Sequence, residues 1–158
     1  AQTYCKWRSV LERRPFRLPT EAEWEKAAIG IQGTFFPWGD ELNSVHLNNY
    51  LAGVGTTSSV GIFASGASPY DCYDMAGNVY EWTCSLWGTD AWRPLYRYPY
   101  EAADGREALD APATIYRVLR GGAYYLNHIF TSCTYRDRDL PTNKGRSLGF
   151  RVVAPVVG

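Results

Sequence analysis

The feature that most constrains the fold of this chain is its long middle stretch, residues 29–114, in which no helix or strand period persists. Gly, Pro, Asp and aromatic residues dominate the stretch, as in FFPWGDE and WGTDAWRPLYRYPY. Because the chain contains 6 Trp and 12 Tyr, the stretch is too rich in aromatic side chains to be a disordered linker. Rigid aromatic side chains can instead fix loops in place. The sequence therefore predicts one α+β domain, residues 1–158, with much ordered loop.

A first helix is predicted at the start of the chain. Its apolar and amphipathic residues recur at offsets of three, four and seven, which places them on one helical face. This face is formed by Tyr4, Trp7, Arg8 and Leu11. Pro15, preceded by two Arg residues, is predicted to end the helix. No N-cap residue precedes it, so we expect the helix, and further elements, to begin upstream.

A second helix is predicted within RLPTEAEWEKAA. Thr20 and Glu23 have the T-x-x-E spacing of a capping box, and the acidic residues of the first turn suit the helix dipole. Trp24, Ala27 and Ala28 give this helix an edge to bury. Short strands are predicted later in the chain, over residues 115–120, 132–136 and 148–153.

The charge balance excludes several classes of function. Lys+Arg and Asp+Glu both number 16, so the formal net charge is zero. This balance argues against broad electrostatic binding of nucleic acid or of an anionic membrane surface. No apolar run approaches the roughly 20 residues of a membrane span. Most of the basic residues are Arg, which favours fixed bidentate pairs that hold loops together.

Five sequence motifs occur in a fixed order along the chain: RLPTEAEWEKAA, FPWGDE, YDMAGNVYEWT, RVLRGG and LGFRVV. Together they resemble the formylglycine-generating enzyme (sulfatase-modifying factor) family, over roughly Tyr4 to Val153. The resemblance implies a C-type-lectin-like fold with two helices, short antiparallel strands and much ordered loop. The family domain normally begins well upstream. We therefore expect this chain to match the C-terminal two-thirds and to be fused to, or paired with, an N-terminal portion.

The GNVYEW segment is implied by the resemblance to be a structural calcium site, formed by Gly77, Asn78, Val79 and Glu81. Backbone carbonyls, an amide oxygen and a carboxylate are the hard ligands that calcium prefers. The alternative is that Asn78 and Glu81 cap turns and bind backbone amides. A second family calcium site would use Asn49, but the acidic partner expected shortly after it is absent.

The copper chemistry of the family depends on two cysteines five positions apart, shortly after the RGG segment. Soft thiolates are the ligands that Cu(I) selects. In the family register these positions correspond to Ala123 and His128, so no copper is expected. Some relatives use a histidine cluster for iron chemistry, but His46 and His128 are too few for that. We therefore expect a protein that is not an enzyme, and keep a copper-dependent formylglycine-generating oxidase as the alternative.

The four cysteines are implied by the resemblance to be unpaired. Cys133 and Cys5 match family half-cystines whose partner positions are Ala28 and Val152. Each inherited disulfide would therefore lack one sulfur, which favours reduced thiols and a cytoplasmic location, although the location stays open.

A second group with this fold, the variable proteins of diversity-generating retroelements, carries the pattern RVLRGG…YRDR…P…LGFRV and varies positions within it. The fixed positions, called frame residues here, are Arg117, Arg120, Gly121, Gly122, Tyr135, Arg136, Arg138, Pro141, Gly149, Phe150 and Arg151. The positions expected to vary and to bind a ligand, called contact residues here, are Tyr124, Tyr125, Asn127, His128, Ile129, Phe130, Asp139, Asn143, Gly145, Arg146 and Ser147.

The chemistry of the contact residues favours binding of a protein or another macromolecule. Tyr and Phe offer contact area at low entropic cost, whereas Asn, His and Ser offer adaptable hydrogen bonds. Two alternatives stay open. Half of these side chains could pack inward, or the domain could be a structural module of a larger effector protein.

Overall fold

The computed structural model describes residues 1–155, which contain three α-helices, two short 3-10 helices (Tyr50–Ala52 and Ala64–Gly66) and a four-stranded sheet. The α-helices are α1 (Gln2–Glu12), α2 (Glu21–Ile29) and the short α3 (His128–Thr131). The strands are β1 (Tyr80–Gly88), β2 (Tyr116–Arg120), β3 (Asp137–Asp139) and β4 (Leu148–Gly149). Helix α2 packs against β1 and β2, and long loops connect the remaining elements. The predicted α+β class is therefore confirmed.

Helix α2 forms where the capping box predicted it. The Thr20 hydroxyl oxygen accepts a hydrogen bond from the backbone N–H of Glu23 at 3.1 Å. In return, the Glu23 carboxylate accepts one from the backbone N–H of Thr20 at 2.8 Å. Trp24 and Ala28 are fully buried in a core cluster that also contains Met75. The cap and the buried edge together fix the helix against the sheet.

Helix α1 ends at Arg13, which adopts a left-handed backbone conformation with φ 53°. Cys5 is its buried residue and joins a core cluster with Phe16 and Cys84. The face predicted from sequence contacts the domain only in part: Trp7 is 57% exposed, whereas Tyr4 packs edge-on against Phe150 at 5.4 Å between ring centroids. Cys5 and Tyr4 therefore both attach α1 to the domain.

The sheet has the order β3-β2-β1-β4. Strands β1 and β2 pair antiparallel, as do β2 and β3, whereas β1 and β4 run parallel. The prediction of short antiparallel strands is thus wrong for one pair, and the sheet is mixed. Strand β1 was not expected, because buried polar residues such as Thr83 and Ser85 interrupt its apolar pattern.

The predicted strands differ in accuracy. Strand β2 lies within the predicted residues 115–120, and β4 covers the first two residues of the prediction for 148–153. The prediction for residues 132–136 is wrong, because β3 begins only at Asp137. The backbone of that segment bonds elsewhere. Cys133 donates its N–H to the carbonyl of Phe35 at 2.7 Å, and Tyr135 bonds back to Ser132 in a turn.

The segment between α1 and α2 is tied to the carboxy-terminal part of the described chain. The backbone N–H of Arg17 bonds the carbonyl of Val153 at 3.1 Å, and the reverse bond measures 2.9 Å. Within residues 1–155, no helix has the length and apolar character needed to cross a membrane.

Candidate functional site

A buried network of charged frame residues supports the candidate site. Arg120 is fully buried and donates to the Glu21 carboxylate at 3.2 Å and to the carbonyl of Cys133 at 2.6 Å. It also pairs with Glu25. Arg136 forks onto the same Glu21 carboxylate at 2.5 and 2.8 Å. Since Glu21 lies on α2, this network fixes the chain on both sides of residues 124–130 to a helix far away in sequence.

Two glycines turn the chain sharply after β2. Gly121 and Gly122 have φ values of 88° and 72°, a conformation that side chains disfavour. A Cβ on Gly122 would lie 2.4 Å from the carbonyl oxygen of Phe130 and 2.8 Å from Thr131 Cα. Helix α3 therefore packs directly against Gly122. This close approach explains why position 122 cannot carry a side chain.

Most contact residues between positions 124 and 130 reach solvent. Tyr125, Asn127, His128 and Ile129 are exposed. Tyr124 and Phe130 are half-buried, and Phe130 packs edge-on against Tyr135 at 5.0 Å between ring centroids.

Helix α3 carries three of these residues, and its four-residue length could not produce a periodic signal. The Asn127 side chain caps it by accepting a hydrogen bond from the N–H of Ile129 at 3.1 Å.

A cavity of about 380 Å³ joins the two halves of the contact set. Five contact residues from both halves line it: Tyr125, Asp139, Asn143, Gly145 and Ser147. Its walls also include residues from all four strands, namely Tyr80, Leu119, Asp137 and Leu148. Burial, together with a hydrogen bond to Asp137, raises the pKa of the Tyr80 hydroxyl. The cavity is thus formed by rigid strands and bordered by residues predicted to vary.

Two further cavities extend this surface to segments that the sequence did not indicate. One of about 460 Å³ lies between Tyr124, Tyr125 and Tyr50. Another of about 610 Å³ lies between α3 and the loop containing Phe35 and Asp40. The aromatic residues of these loops could have indicated a binding surface from the sequence. Their position beside α3, however, could be found only from the folded structure. Asn127, Phe130 and Arg146 line none of these three cavities.

The two family copper positions differ sharply in this chain. Ala123 is fully buried and offers only a methyl group, whereas His128 is exposed on α3. Cys133, the nearest cysteine in sequence, is buried and free, and burial raises the pKa of its thiol to about 12. Within residues 1–155, no group of three or more His, Cys, Asp or Glu side chains is arranged to hold a metal ion.

The half-cystine positions lie as the resemblance implies. Cys133 shares a core cluster with Ala28, and Cys5 packs in a cluster that Val152 borders. Cys5, Cys72, Cys84 and Cys133 are all free.

The GNVYEW turn uses its polar side chains within the protein. Asn78, at φ 62°, accepts a hydrogen bond from the N–H of Ser58 at 3.0 Å. Both Glu81 oxygens bind Arg151, at 2.5 and 2.7 Å, and the Trp24 indole donates to Glu81 at 2.6 Å.

This arrangement bears on the predicted calcium site of Gly77, Asn78, Val79 and Glu81. With its charge balanced by a guanidinium, the Glu81 carboxylate does not fit a calcium ligand as it is placed here. Calcium binding is thus a prediction that rests on the resemblance alone.

The mixed sheet, the two main helices and the long connecting loops define the formylglycine-generating type of α+β fold. The model of the sulfatase-modifying factor enzyme 1-like domain matches residues 1–156, and the chain belongs to this family. Three relatives illustrate its range. The chain is 37% identical over 137 residues to serine/threonine-protein kinase pkn1 of Chlamydia pneumoniae, covering 85% of this chain and 20% of the kinase.

The other two relatives, like pkn1, carry enzyme names. The chain is 30% identical to the formylglycine-generating enzyme of Mus musculus, over 98% of this chain and 41% of the enzyme. It is 32% identical to the hercynine oxygenase of Mycolicibacterium smegmatis, over 96% of this chain and 35% of that protein. The chain therefore spans well under half the length of these curated relatives.

Two solved structures are similar to the whole domain. PvdO from Pseudomonas aeruginosa superposes with a TM-score of 0.73 at 26% identity, over 98% of this chain and 58% of PvdO. Treponema denticola variable protein 1 superposes with a TM-score of 0.65 at 28% identity, over 88% of this chain and 47% of that chain.

Proposed function

We propose that this domain is a non-catalytic ligand-binding domain that recognises a protein through its contact residues. The observation that carries the proposal is the cavity of about 380 Å³, in which Tyr125 meets Asp139, Asn143 and Ser147. Residues separated in sequence thus line one accessible cavity, while Arg120 and Glu21 of the charged network are fully buried. This separation of exposed contact residues from buried charged residues suits a surface whose side chains can change while the backbone stays the same.

The lack of a thiol pair supports a non-catalytic role. A buried methyl group at Ala123 cannot ligate copper, and the exposed imidazole of His128 does not replace two thiolates. Burial keeps the thiol of Cys133 protonated and away from solvent, which disfavours metal binding and nucleophilic attack. The similarity to Treponema denticola variable protein 1 supports a varied surface of the same kind.

The binding proposal is tested by probing an array of purified proteins and titrating each partner found. Tyr125→Ala is expected to weaken binding about tenfold or more, because central aromatic residues dominate interfaces. Tyr70→Ala is the matched control, since Tyr70 is 52% exposed and Tyr125 is 51% exposed. Equal affinities of the two variants for every partner would refute a role for the contact residues.

The oxidase alternative is tested separately with an oxygen electrode. The chain, loaded with Cu(I) and given a cysteine-containing peptide, is expected to consume no oxygen above the peptide-free rate. Copper-dependent consumption that follows peptide concentration would overturn the non-catalytic assignment.

A second candidate function is a structural module within a larger protein. It is favoured by the coverage of pkn1, of which the matching segment forms only 20%. Size-exclusion chromatography tests this candidate, because an unprotected docking face should make the isolated chain oligomerise or precipitate.

Diversification of the contact residues is the finer part of the proposal. It predicts a near-copy of the coding segment for residues 117–151 beside a reverse-transcriptase gene in the source genome. A genome in which that neighbourhood holds neither sequence would remove diversification and leave the binding proposal intact.

A further inference from the structure

The cavity of about 610 Å³ beside α3 has two walls of different origin. Phe35, Phe36 and Leu42 form one wall, from a loop far from the contact residues in sequence. His128 and Ile129 form the other wall and belong to the contact set. The cavity is therefore continuous with the proposed binding surface, although the sequence assigns half of it no role.

The walls of this cavity are apolar and open to solvent. Phe35 is 56% exposed and Ile129 is 57% exposed, so two large apolar side chains of the cavity lining are open to water. The volume falls within the range of roughly 300–1,000 Å³ that is typical of ligand pockets. Replacement of the water in such a cavity by an apolar group is favourable, because it removes apolar surface from water.

The charge at the rim of the cavity is unbalanced. Asp40 is exposed, and one of its oxygens accepts a hydrogen bond from the N–H of Phe35 at 2.9 Å. Among residues 1–155, no Lys, Arg or His forms an ion pair with Asp40.

The arginine on the same rim does not balance this charge. The guanidinium of Arg136 is directed inward onto Glu21 and the carbonyl of Tyr96, so its own charge is already matched. The rim therefore offers one carboxylate without a cationic partner.

We propose that this cavity receives an apolar side chain of the protein partner, flanked by an Arg or Lys that pairs with Asp40. The inference rests on the proposed function and adds a fixed wall, the Phe35–Leu42 loop, to the contact residues. An apolar anchor in a pocket with a polar rim is the usual form of an energetically central contact. The fixed wall would supply affinity, and the contact residues on α3 would supply selectivity.

The test uses the full 158-residue chain with isotope-labelled isoleucine methyl groups. N-acetyl-arginyl-phenylalaninamide is expected to shift the Ile129 methyl resonance in a saturable way, with a dissociation constant on the order of millimolar. N-acetyl-glutamyl-phenylalaninamide is expected to bind about two- to fivefold more weakly, since an exposed ion pair contributes little.

Matched variants assign the two parts of the recognition. Asp40→Asn should remove the difference between the two peptides, whereas Glu41→Gln, next to it and outside the cavity lining, should keep it. Phe35→Ala should weaken both peptides. Ile62→Glu, at a 66% exposed site outside the cavity, should leave both affinities unchanged.

Two results would overturn the inference. One is the lack of a saturable shift at Ile129 with either peptide, and the other is equal binding of both peptides by the unmodified chain. Failure here is distinguishable from failure of the proposed function. A partner from the array that loses affinity with Tyr125→Ala but not with Phe35→Ala would keep the binding surface and remove this cavity from it.

Discussion

The frame arginines Arg120 and Arg136 and the contact residues Tyr125 and Ile129 are near in sequence, yet they differ in burial and in charge. Arg120 is fully buried and pairs with Glu21 and Glu25, and Arg136 reaches the same network. Tyr125 and Ile129, a few residues away, have half of their surface in solvent. The difference teaches that buried ion-paired side chains and exposed side chains stay separate within one short segment, as the proposed division between stability and recognition requires. Substitutions on either side can break this separation or measure it.

The largest effect is expected from Glu21→Ala. This change leaves Arg120 without its fully buried partner and Arg136 without its bidentate acceptor. Removing one member of a buried ion pair costs about 3–5 kcal/mol of unfolding free energy. Urea unfolding measures the loss, with Glu41→Gln as the control at an exposed carboxylate. A loss below about 1 kcal/mol would show that the network does not hold the segment in place.

A smaller but clear effect is expected from Gly122→Ala. A left-handed backbone costs a non-glycine residue about 1–3 kcal/mol, and here the new Cβ also meets the backbone of α3. Gly145→Ala is the control, because a Cβ there meets only the Leu148 side chain at 3.5 Å or more. Thermal unfolding of both variants tests whether the tight approach exists. Equal melting temperatures would contradict it.

The buried thiols predict a loss of stability at alkaline pH. Burial raises the pKa of Cys133 to about 12 and that of Cys84 to about 11, from an ordinary value of 9.0. Above pH 9 the unfolded chain loses these protons while the folded chain keeps them, so the unfolding free energy falls as pH rises. The slope approaches about 1.4 kcal/mol per pH unit for each thiol.

The contribution of one thiol can be separated by substitution. Cys133→Ala should flatten the fall in unfolding free energy between pH 9 and 11, whatever its effect at neutral pH. Urea unfolding at several pH values measures the slope. An unchanged slope would mean that Cys133 is not protected by burial.

Substitution of an exposed contact residue should hardly change stability. Ile129→Ser is expected to alter the unfolding free energy by no more than about 0.5 kcal/mol, because its side chain lies on the exposed face of α3. Leu119→Ala, in buried β2, should cost about 2–5 kcal/mol. Comparable losses of unfolding free energy in the two variants would contradict the distinction between exposed contact residues and the buried core.

The smallest effect is expected from removal of calcium. Arg151 already balances Glu81 in the GNVYEW turn, so a chelator should leave the melting temperature unchanged. A chelator-dependent fall that calcium reverses and magnesium does not would establish the ion that the resemblance predicts. Differential scanning calorimetry with each metal distinguishes these outcomes.

The sequence predicts the elements that local chemistry determines. Thr20 and Glu23 locate the start of α2, because both capping hydrogen bonds connect residues three apart. Strand β2 is predicted to within one residue at its start. Strand β1 is missed because its polar residues are buried by distant partners: Thr83 bonds Val118, and Ser85 bonds the N–H of Glu21. A pattern that depends on long-range partners carries no local signal.

The candidate site likewise has one part that the sequence predicts and one part that only the folded chain shows. Exposure of Tyr125, His128 and Ile129 agrees with their prediction as contact residues. The opposite wall at Phe35 and Asp40 could not be predicted, since only the folded chain brings that loop to α3. Pairing of Glu81 with Arg151 was also missed, because 70 residues separate them.

The backbone bridge between Arg17 and Val153 has a consequence for synthesis in the cell. It cannot close until residue 153 has left the ribosome, and β4 completes the sheet only a few residues earlier. Meanwhile the emerging amino-terminal half lacks its final partners, so its aromatic side chains stay open to aggregation. Nascent chains of this domain should therefore depend on chaperone holding until residue 153 has emerged.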